Sequence, residues 1–431
     1  MESRNKRMGA VAMTNMVGGW MRRHPAGFVF ITSLLGFALF NVLPLFREAG
    51  HIAQHGPYHT HVLLADAFLD GRLTFLDKAY KDMAEFEGKL FSPFPPFPAI
   101  LLTPLVAVFG TSLPITLVTP FLGALVGVAL FRFLAAMGMR NDVSLWSTFA
   151  FLFGTVFWFT VRTPIDTCLA HILATGLIFS ALDAAARQRA AWFIGLAIGA
   201  AFLCRQLTVF ALPLAWVLLM RPPEGGFAWK NARFIAQTVP GLALALIGYL
   251  VYNFIRFGDP FNAGYAYIHE PDWYGSRMEK WGITHWMYIP SNAVRLFLQG
   301  FVIEWVDTDR MIPTMSDGGT SLTFASPFVF FALRGAFPRA AGINLAGWTG
   351  IAIIMLGVLM NKNGMGGWQI NGMRYALDFL PLVMVFAANG MNRLADSPYR
   401  ALWKAAILYA VTLNLIAIGL TYVPKIITAF H

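Results

Sequence analysis

The chain has 431 residues, of which 57% are hydrophobic and only 13% charged. A soluble domain carries about 25% charged residues, so a surface wetted on all sides is excluded. The net charge of +10 sits mostly in short gaps between apolar runs, which argues for membrane topology and against nucleic acid as a partner.

Residues 1–25 hold Arg4, Lys6, Arg7, Arg22 and Arg23 against Glu2 alone, so this N-terminal tail is expected in the cytoplasm. The run 26–46 is followed by many others, which favours a spanning helix over a cleaved signal peptide. A polar stretch, 47–96, comes next and carries Glu48, Asp66, Asp70, Asp77, Asp82, Glu85 and Glu87. Alternation places this acidic piece of a basic protein on the outer side. Within it, Val62, Leu63, Ala65, Phe68 and Leu69 accompany Asp66 and Asp70. The spacing predicts a helix along the interface with two carboxylates one turn apart on one face.

Apolar runs resume at 97–111, 114–138, 143–161, 167–185, 190–220 and 234–255, the fifth interrupted by Arg205. A second polar stretch, 257–322, precedes the runs 323–338, 343–360, 373–389 and 403–423 and the tail 424–431. Basic clusters at 139–140, 187–189, 221–233, 334–339 and 393–404 all favour the cytoplasmic side. The 97–111 run is short and holds Pro98 and Pro104, so partial insertion is expected. The predicted fold is an all-α polytopic membrane bundle over 26–423, with about 11 spans, or about 12 if 97–111 crosses fully. The expected place is the plasma membrane or, in a bacterium, the inner membrane, and outer loops 47–96 and 257–322 are expected to fold over the bundle.

Ionisable residues against apolar runs are costly unless paired or facing a cavity, and they mark candidate sites. Arg162, Asp166 and His171 lie in "FTVRTPIDTCLAH", Arg205 in "FLCRQLTVF", Arg256 in "YNFIRFGDPFNAGYAY", and Arg374 and Asp378 in "NGMRYALDFLPL". The topology gathers all of them near the outer interface, and the spacing predicts Arg374 and Asp378 on one helical face. Four arginines on the side where positive charge is disfavoured call for a compensating anion. A lipid-linked phosphate fits, because guanidinium forks match phosphate oxygens. His51, His55, His59 and His61 form a loose cluster with Glu48 and Asp66, but their spacing matches no strong zinc site. Cys168 and Cys204 lie inside apolar runs and form no disulfide framework. No phosphate-binding loop, dinucleotide fingerprint or zinc-protease motif is present.

The segments "GKLFSPFPPFPAILLTPLVAVFG", "FGTVFWF" with a following "AH", "YNFIRFGDPFNAGY" and "GMRYALDFLPL" follow one another behind the acidic first loop. In that order they resemble the GT-C superfamily of polyprenyl-phosphate-dependent glycosyltransferases. The closest likeness is to the bacterial branch related to protein mannosyltransferases and the lipid A aminoarabinose transferase. The resemblance implies a GT-C-type bundle with interfacial helices in the first outer loop and transfer at the outer face. The donor would be a sugar on undecaprenyl or a similar polyprenyl phosphate, and the acceptor a glycan, lipid or protein. It further implies a base among the first-loop acids, in the order Asp66, Asp82, Glu48. Lys89 would help hold the lipid phosphate, although "LFSPF" separates it from Pro95–Pro96.

In this account Arg162, Arg205, Arg256 and Arg374 join Lys89 around phosphate, and Asp166, His171, Tyr265 and Asp378 support them. No metal ligand is assigned; a divalent cation (Mg or Mn) would be weakly required if at all. Direct displacement would invert the anomeric carbon. Two alternatives share the arginine-lined cavity: a transporter or flippase, and an O-antigen-ligase-like protein. A transporter should show duplicated halves with matched broken helices, and no such duplication is evident.

Overall fold

The computed structural model describes residues 19, 23–45, 60–76, 83–163, 166–220, 229–268, 272–307, 312–316, 318–364, 366 and 371–427. Every apolar run named above falls on helix. Five helices are long and apolar enough to cross a membrane among the described residues: Ile115–Ala136, Thr167–Ala186, Arg233–Phe257, Ala341–Leu359 and Arg400–Thr421. The chain is therefore a multi-spanning helical membrane protein. The first run lies on a helix of 21 residues, Pro25–Leu45, and the other runs form shorter or broken helices. In chain order the elements used below are α1 (Pro25–Leu45), α2 (Thr60–Leu69), α3 (Phe97–Phe109), α4 (Ile115–Ala136), α5 (Asn141–Gly154), α6 (Phe157–Arg162) and α7 (Asp166–Ala186). They continue as α8 (Ala191–Phe202), α9 (Leu212–Met220), α10 (Arg233–Phe257), α11 (Asp272–Trp281), α12 (Ile289–Phe297), α13 (Leu322–Ala325), α14 (Ala341–Leu359), α15 (Leu380–Arg393) and α16 (Arg400–Ile427).

The two polar stretches contain what the apolar pattern could not announce, namely short strands. In the first, β1 (Thr74–Phe75), β2 (Ala84–Phe86) and β3 (Lys89–Phe91) form an antiparallel sheet in the order β1-β3-β2. In the second, β4 (Ile303–Asp307) pairs with β5 (Ile312–Met315). The first sheet is tied to the bundle by aromatic packing, with Phe86 and Phe91 at 5.7 and 5.3 Å from Phe257 at the end of α10.

The two ends of the bundle differ in charge. At one end Asp183 near the end of α7 takes Arg187 at 2.7 Å and Arg132 at 3.3 Å. There too Asp142 pairs with Arg140 at 3.1 Å and Arg400 at 3.0 Å, and Arg393 donates to the carbonyls of Arg334 and Ala336. Most of the basic clusters expected on one side thus do meet. Helix α7 carries the chain from this basic end to His171 and Thr167. That is 12 residues or more of helix, about 18 Å at 1.5 Å per residue.

Backbones approach closely where side chains vanish. A Cβ on Gly195 of α8 would sit 1.9 Å from the Thr238 carbonyl oxygen of α10, and one on Gly241 would sit 2.4 Å from the Leu196 nitrogen. Gly195 and Gly199 form a GxxxG pair, which lets helices pack through dispersion forces where no hydrophobic effect drives them together. Most of the opposite surface of α10, including Leu244, Ile247 and Val251, is exposed, as a lipid-facing helix should be. Gly195→Leu should therefore lower the thermal midpoint of the purified protein in detergent, because overpacking costs about 1–3 kcal/mol or more. Gly248→Leu, on the same helix α10 with nothing within 4 Å of its Cβ, should leave the midpoint nearly unchanged.

Candidate functional site

Three irregularities in the helices fall at the end opposite the basic clusters. Helix α8 stops at Phe202, and the chain runs through Arg205 in extended conformation (φ −148°, ψ 108°) into a 3-10 turn, Gln206–Ala211. The freed Arg205 carbonyl is retaken by the Thr208 hydroxyl at 2.6 Å. A second break separates α5 from α6. There Asn414 of α16 donates to the carbonyls of Phe153 and Thr155 at 2.6 and 3.1 Å, and Ser326 donates to that of Gly154 at 2.7 Å. The third is the 3-10 turn Arg374–Asp378 ahead of α15. Asn371 hydrogen-bonds Asn414, and Gly372 takes φ +93° with its Cβ position 2.8 Å from Val156. Only glycine fits that close, left-handed crossing of the second break. Irregular backbone survives at membrane depth only when protein satisfies it in this way.

These breaks bring one carboxylate, one guanidinium and one imidazole together. Asp378, 2% exposed, is gripped by Arg205 through Nη2 at 2.6 Å and Nε at 3.0 and 3.2 Å. The fully buried His171 places Nδ1 3.2 Å from the other side of the carboxylate, though its ring is not aligned for a straight hydrogen bond. Tyr375 closes the group, with the Arg205 guanidinium 4.7 Å from its ring centroid and the His171 ring at 5.9 Å. The expected pairing of Arg374 with Asp378 along one face is altered by the geometry. In a 3-10 turn of about 3.0 residues, positions four apart lie about 120° away from each other. Arg374, buried, directs Nη1 to the Thr167 hydroxyl at 2.9 Å.

A second cation lies at the end of α10. Arg256 is 3% exposed and donates to the Ser92 carbonyl, to Asn253 Oδ1 at 2.7 Å and to the Tyr252 carbonyl at 3.2 Å. Its guanidinium also stacks 3.7 Å from the Tyr252 ring centroid. Among the described residues, all of its hydrogen bonds go to neutral oxygens. Tyr265 lies within electrostatic reach of both Arg205 and Arg256 and meets Gln206, whose amide donates to Tyr249 at 3.0 Å. Burying a guanidinium without a carboxylate is costly, and among the described residues no carboxylate pairs with Arg256.

Asp66 stands on α2 as expected, half-buried, and its side chain has no hydrogen bond or ion pair among the described residues. Its helix is fixed against the bundle by Val62, Leu64 and Ala65, which share one apolar cluster with Leu169, Ala170 and Cys204. Those are the immediate neighbours of His171 and Arg205. Asp70 ends outside the helix in an ion pair with Arg72 at 2.6 Å. Lys89 is exposed at the start of β3, three residues ahead of Ser92. Arg162 ends α6 beside Trp158, 5.6 Å from the ring centroid, and Asp166 is the first residue of α7. Asp82 and Glu48, with His51, His55 and His59, lie outside the described residues.

Among the described residues no group of three or more His, Cys, Asp or Glu is placed to hold a metal ion. Sequence reasoning missed Ser92, Asn253, Tyr249 and Gln206. Only Asn253 had a legible signal, one helical turn before Arg256. No protein-family model matches the chain, and neither does any curated protein sequence.

Asp378→Asn should destabilise the protein strongly, because removing one partner of a buried pair costs about 3–5 kcal/mol. The double variant Arg205→Met/Asp378→Leu should lose much less than the sum of the two single changes, as measured by thermal unfolding in detergent.

Proposed function

We propose that the chain is a glycosyltransferase that moves a sugar from a polyprenyl-phosphate donor to an acceptor hydroxyl or amine at the outer face of the membrane. The observation that carries this reading is Arg256, a buried guanidinium whose hydrogen bonds among the described residues go to neutral oxygens, at the same end of the bundle as Asp66, whose carboxylate has no ion pair among the described residues. A phosphate monoester supplies the missing negative charge and is held by charge-assisted hydrogen bonds. Arg256 and Arg374 hold it in this reading, with Lys89 at the rim. Arg205 is committed to Asp378 and acts as a positioning residue.

In the transfer, an oxygen or nitrogen of the acceptor attacks the anomeric carbon. The carbon–oxygen bond to the lipid phosphate breaks, the bonding pair stays with the phosphate, and Asp66 receives the acceptor proton. Arginines near the phosphate stabilise the charge developing on the leaving oxygen. Phosphate leaves without prior protonation, so no second carboxylate is demanded. One displacement inverts the anomeric centre.

Purified protein incubated with radiolabelled sugars on synthetic polyprenyl phosphates is the test. Label should pass to an acceptor in an envelope-glycan, lipid and protein panel. Asp66→Asn should cut turnover by about 100-fold or more, the range for loss of a general base, while donor binding persists. Arg256→Met should raise the donor KM. Undiminished turnover in Asp66→Asn would move the base to Asp82. Donor binding with no transfer to any acceptor would favour a transporter or a ligase.

A further inference from the structure

The polar stretch 257–322 reads as an external loop, yet part of it is placed like membrane. Three observations locate it. First, Asn292 of α12 donates to the carbonyls of Leu359 and Asn361 at 2.7 and 2.9 Å. It thereby satisfies the last turn of α14, a membrane-spanning helix, and pins α12 at the level where that helix ends.

Second, the chain after α12 goes deeper. The Thr323 hydroxyl donates to the Phe297 carbonyl at 2.5 Å, the Phe301 ring lies 4.9 Å from Phe324, and Phe324 lies 6.5 Å from Tyr409 of α16. Tyr409 is nine residues beyond Arg400, which pairs with Asp142 at the basic end. Nine residues of helix rise about 14 Å, near the middle of a hydrocarbon slab about 30 Å thick. Strand β5 also packs along α16.

Third, the outward surface is apolar in a helical pattern. Met287, Val294, Phe297 and Leu298 are 40%, 53%, 37% and 75% exposed, while Asn292 and Leu296 face inward. Ile303 and Trp305 on one face of β4 continue the stripe at 53% and 50%. Water would not favour so large an exposed apolar patch. Helix α16, on which β5 packs, exposes Tyr409, Leu415 and Ile416 as well, as a lipid-facing helix should.

We propose that 287–305 is a re-entrant, membrane-seated element, with α12 at the headgroup-to-acyl boundary of the leaflet away from the basic end and the chain from Phe301 into β4 deeper in the acyl region. Arg295 is no obstacle. Its guanidinium lies against Gly364 in the loop at the helix ends, as a snorkelling side chain does. The hairpin backbone is partly satisfied within the protein: Ser316 donates to the Val302 carbonyl, Ser321 to that of Gln299, and the Gln299 amide to Gly319 at 2.8 Å. The inference is independent of the reaction proposed above.

Site-directed spin labelling tests it. In a Cys168→Ala/Cys204→Ala chain reconstituted into phosphatidylethanolamine–phosphatidylglycerol vesicles, labels are placed at Val294→Cys, Leu298→Cys and Trp305→Cys. Leu415→Cys serves as the lipid-exposed reference and Asp259→Cys as the aqueous one. Collision with oxygen relative to a water-soluble nickel chelate should be several-fold higher at the three positions than at Asp259→Cys, and close to that at Leu415→Cys. A ratio like that of Asp259→Cys would overturn the proposal. Exclusion of both reagents with dipolar broadening would also overturn it, by showing a second copy of the chain over the stripe. Hydrogen exchange of the unsubstituted protein in nanodiscs is a second readout that needs no variant. Amides in 287–305 should be slowed relative to the same protein in short-chain detergent, and equal exchange in both would count against membrane seating.

Discussion

A carboxylate only 2% exposed inside a helical bundle must be met by a cation or it will not stay charged. Asp378 is met by Arg205 from a break in the α8–α9 segment and faced by His171 from α7, with Tyr375 packed against both. Three segments far apart in the chain are held by this one group. The extended Arg205 backbone, the 3-10 turn at Arg374–Asp378 and the glycine crossing at Gly372 all make sense as ways of delivering those side chains to one point. Without the ion pair there would be little reason to interrupt helices that lipid would otherwise favour whole.

The consequence lies in what the node leaves over. Arg205 and Asp378 neutralise one another, so neither can be counted as a free ligand for an anion. Arg256 is different, because its hydrogen bonds among the described residues end on carbonyl and amide oxygens. It also joins the first polar segment to the bundle through Ser92, so binding of an anion there would be felt by the hairpin that carries Lys89. The acidic helix α2 packs against the residues adjoining the node. A buried guanidinium and a carboxylate thus stand at one end of the bundle, Asp66 on a helix packed in one apolar cluster and Arg256 beside Phe257 of another.

Much of this was legible in the sequence because membrane physics is legible. Apolar runs located the helices, and most of the basic clusters located a common end. The arginines embedded in apolar runs were recognised as expensive, and Arg205 and Arg256 do stack on tyrosine rings, those of Tyr375 and Tyr252. Pairing was less legible. Asp378 looked like the partner of Arg374 on helical spacing, whereas the local turn is 3-10 and swings the carboxylate toward Arg205, whose position depends on a helix break. The β-hairpins escaped notice because two to five residues give too little alternation to register, and the depth of 287–305 was hidden by the charges scattered through that stretch. Asparagines that cap broken helices, Asn414 above all, carry no signature until the breaks are seen.

The central claim is that the end opposite the basic clusters receives a phosphate carried on a lipid. Its most direct test is binding, by native mass spectrometry or isothermal titration, of a polyprenyl monophosphate against the matching uncharged polyprenol. The account predicts that the phosphate binds about tenfold tighter or more, a difference of about 1.4 kcal/mol that one charge-assisted hydrogen bond can supply. That preference should disappear in Arg256→Met while the polyprenol still binds. Equal affinity for the two lipids in the unsubstituted protein would contradict the account.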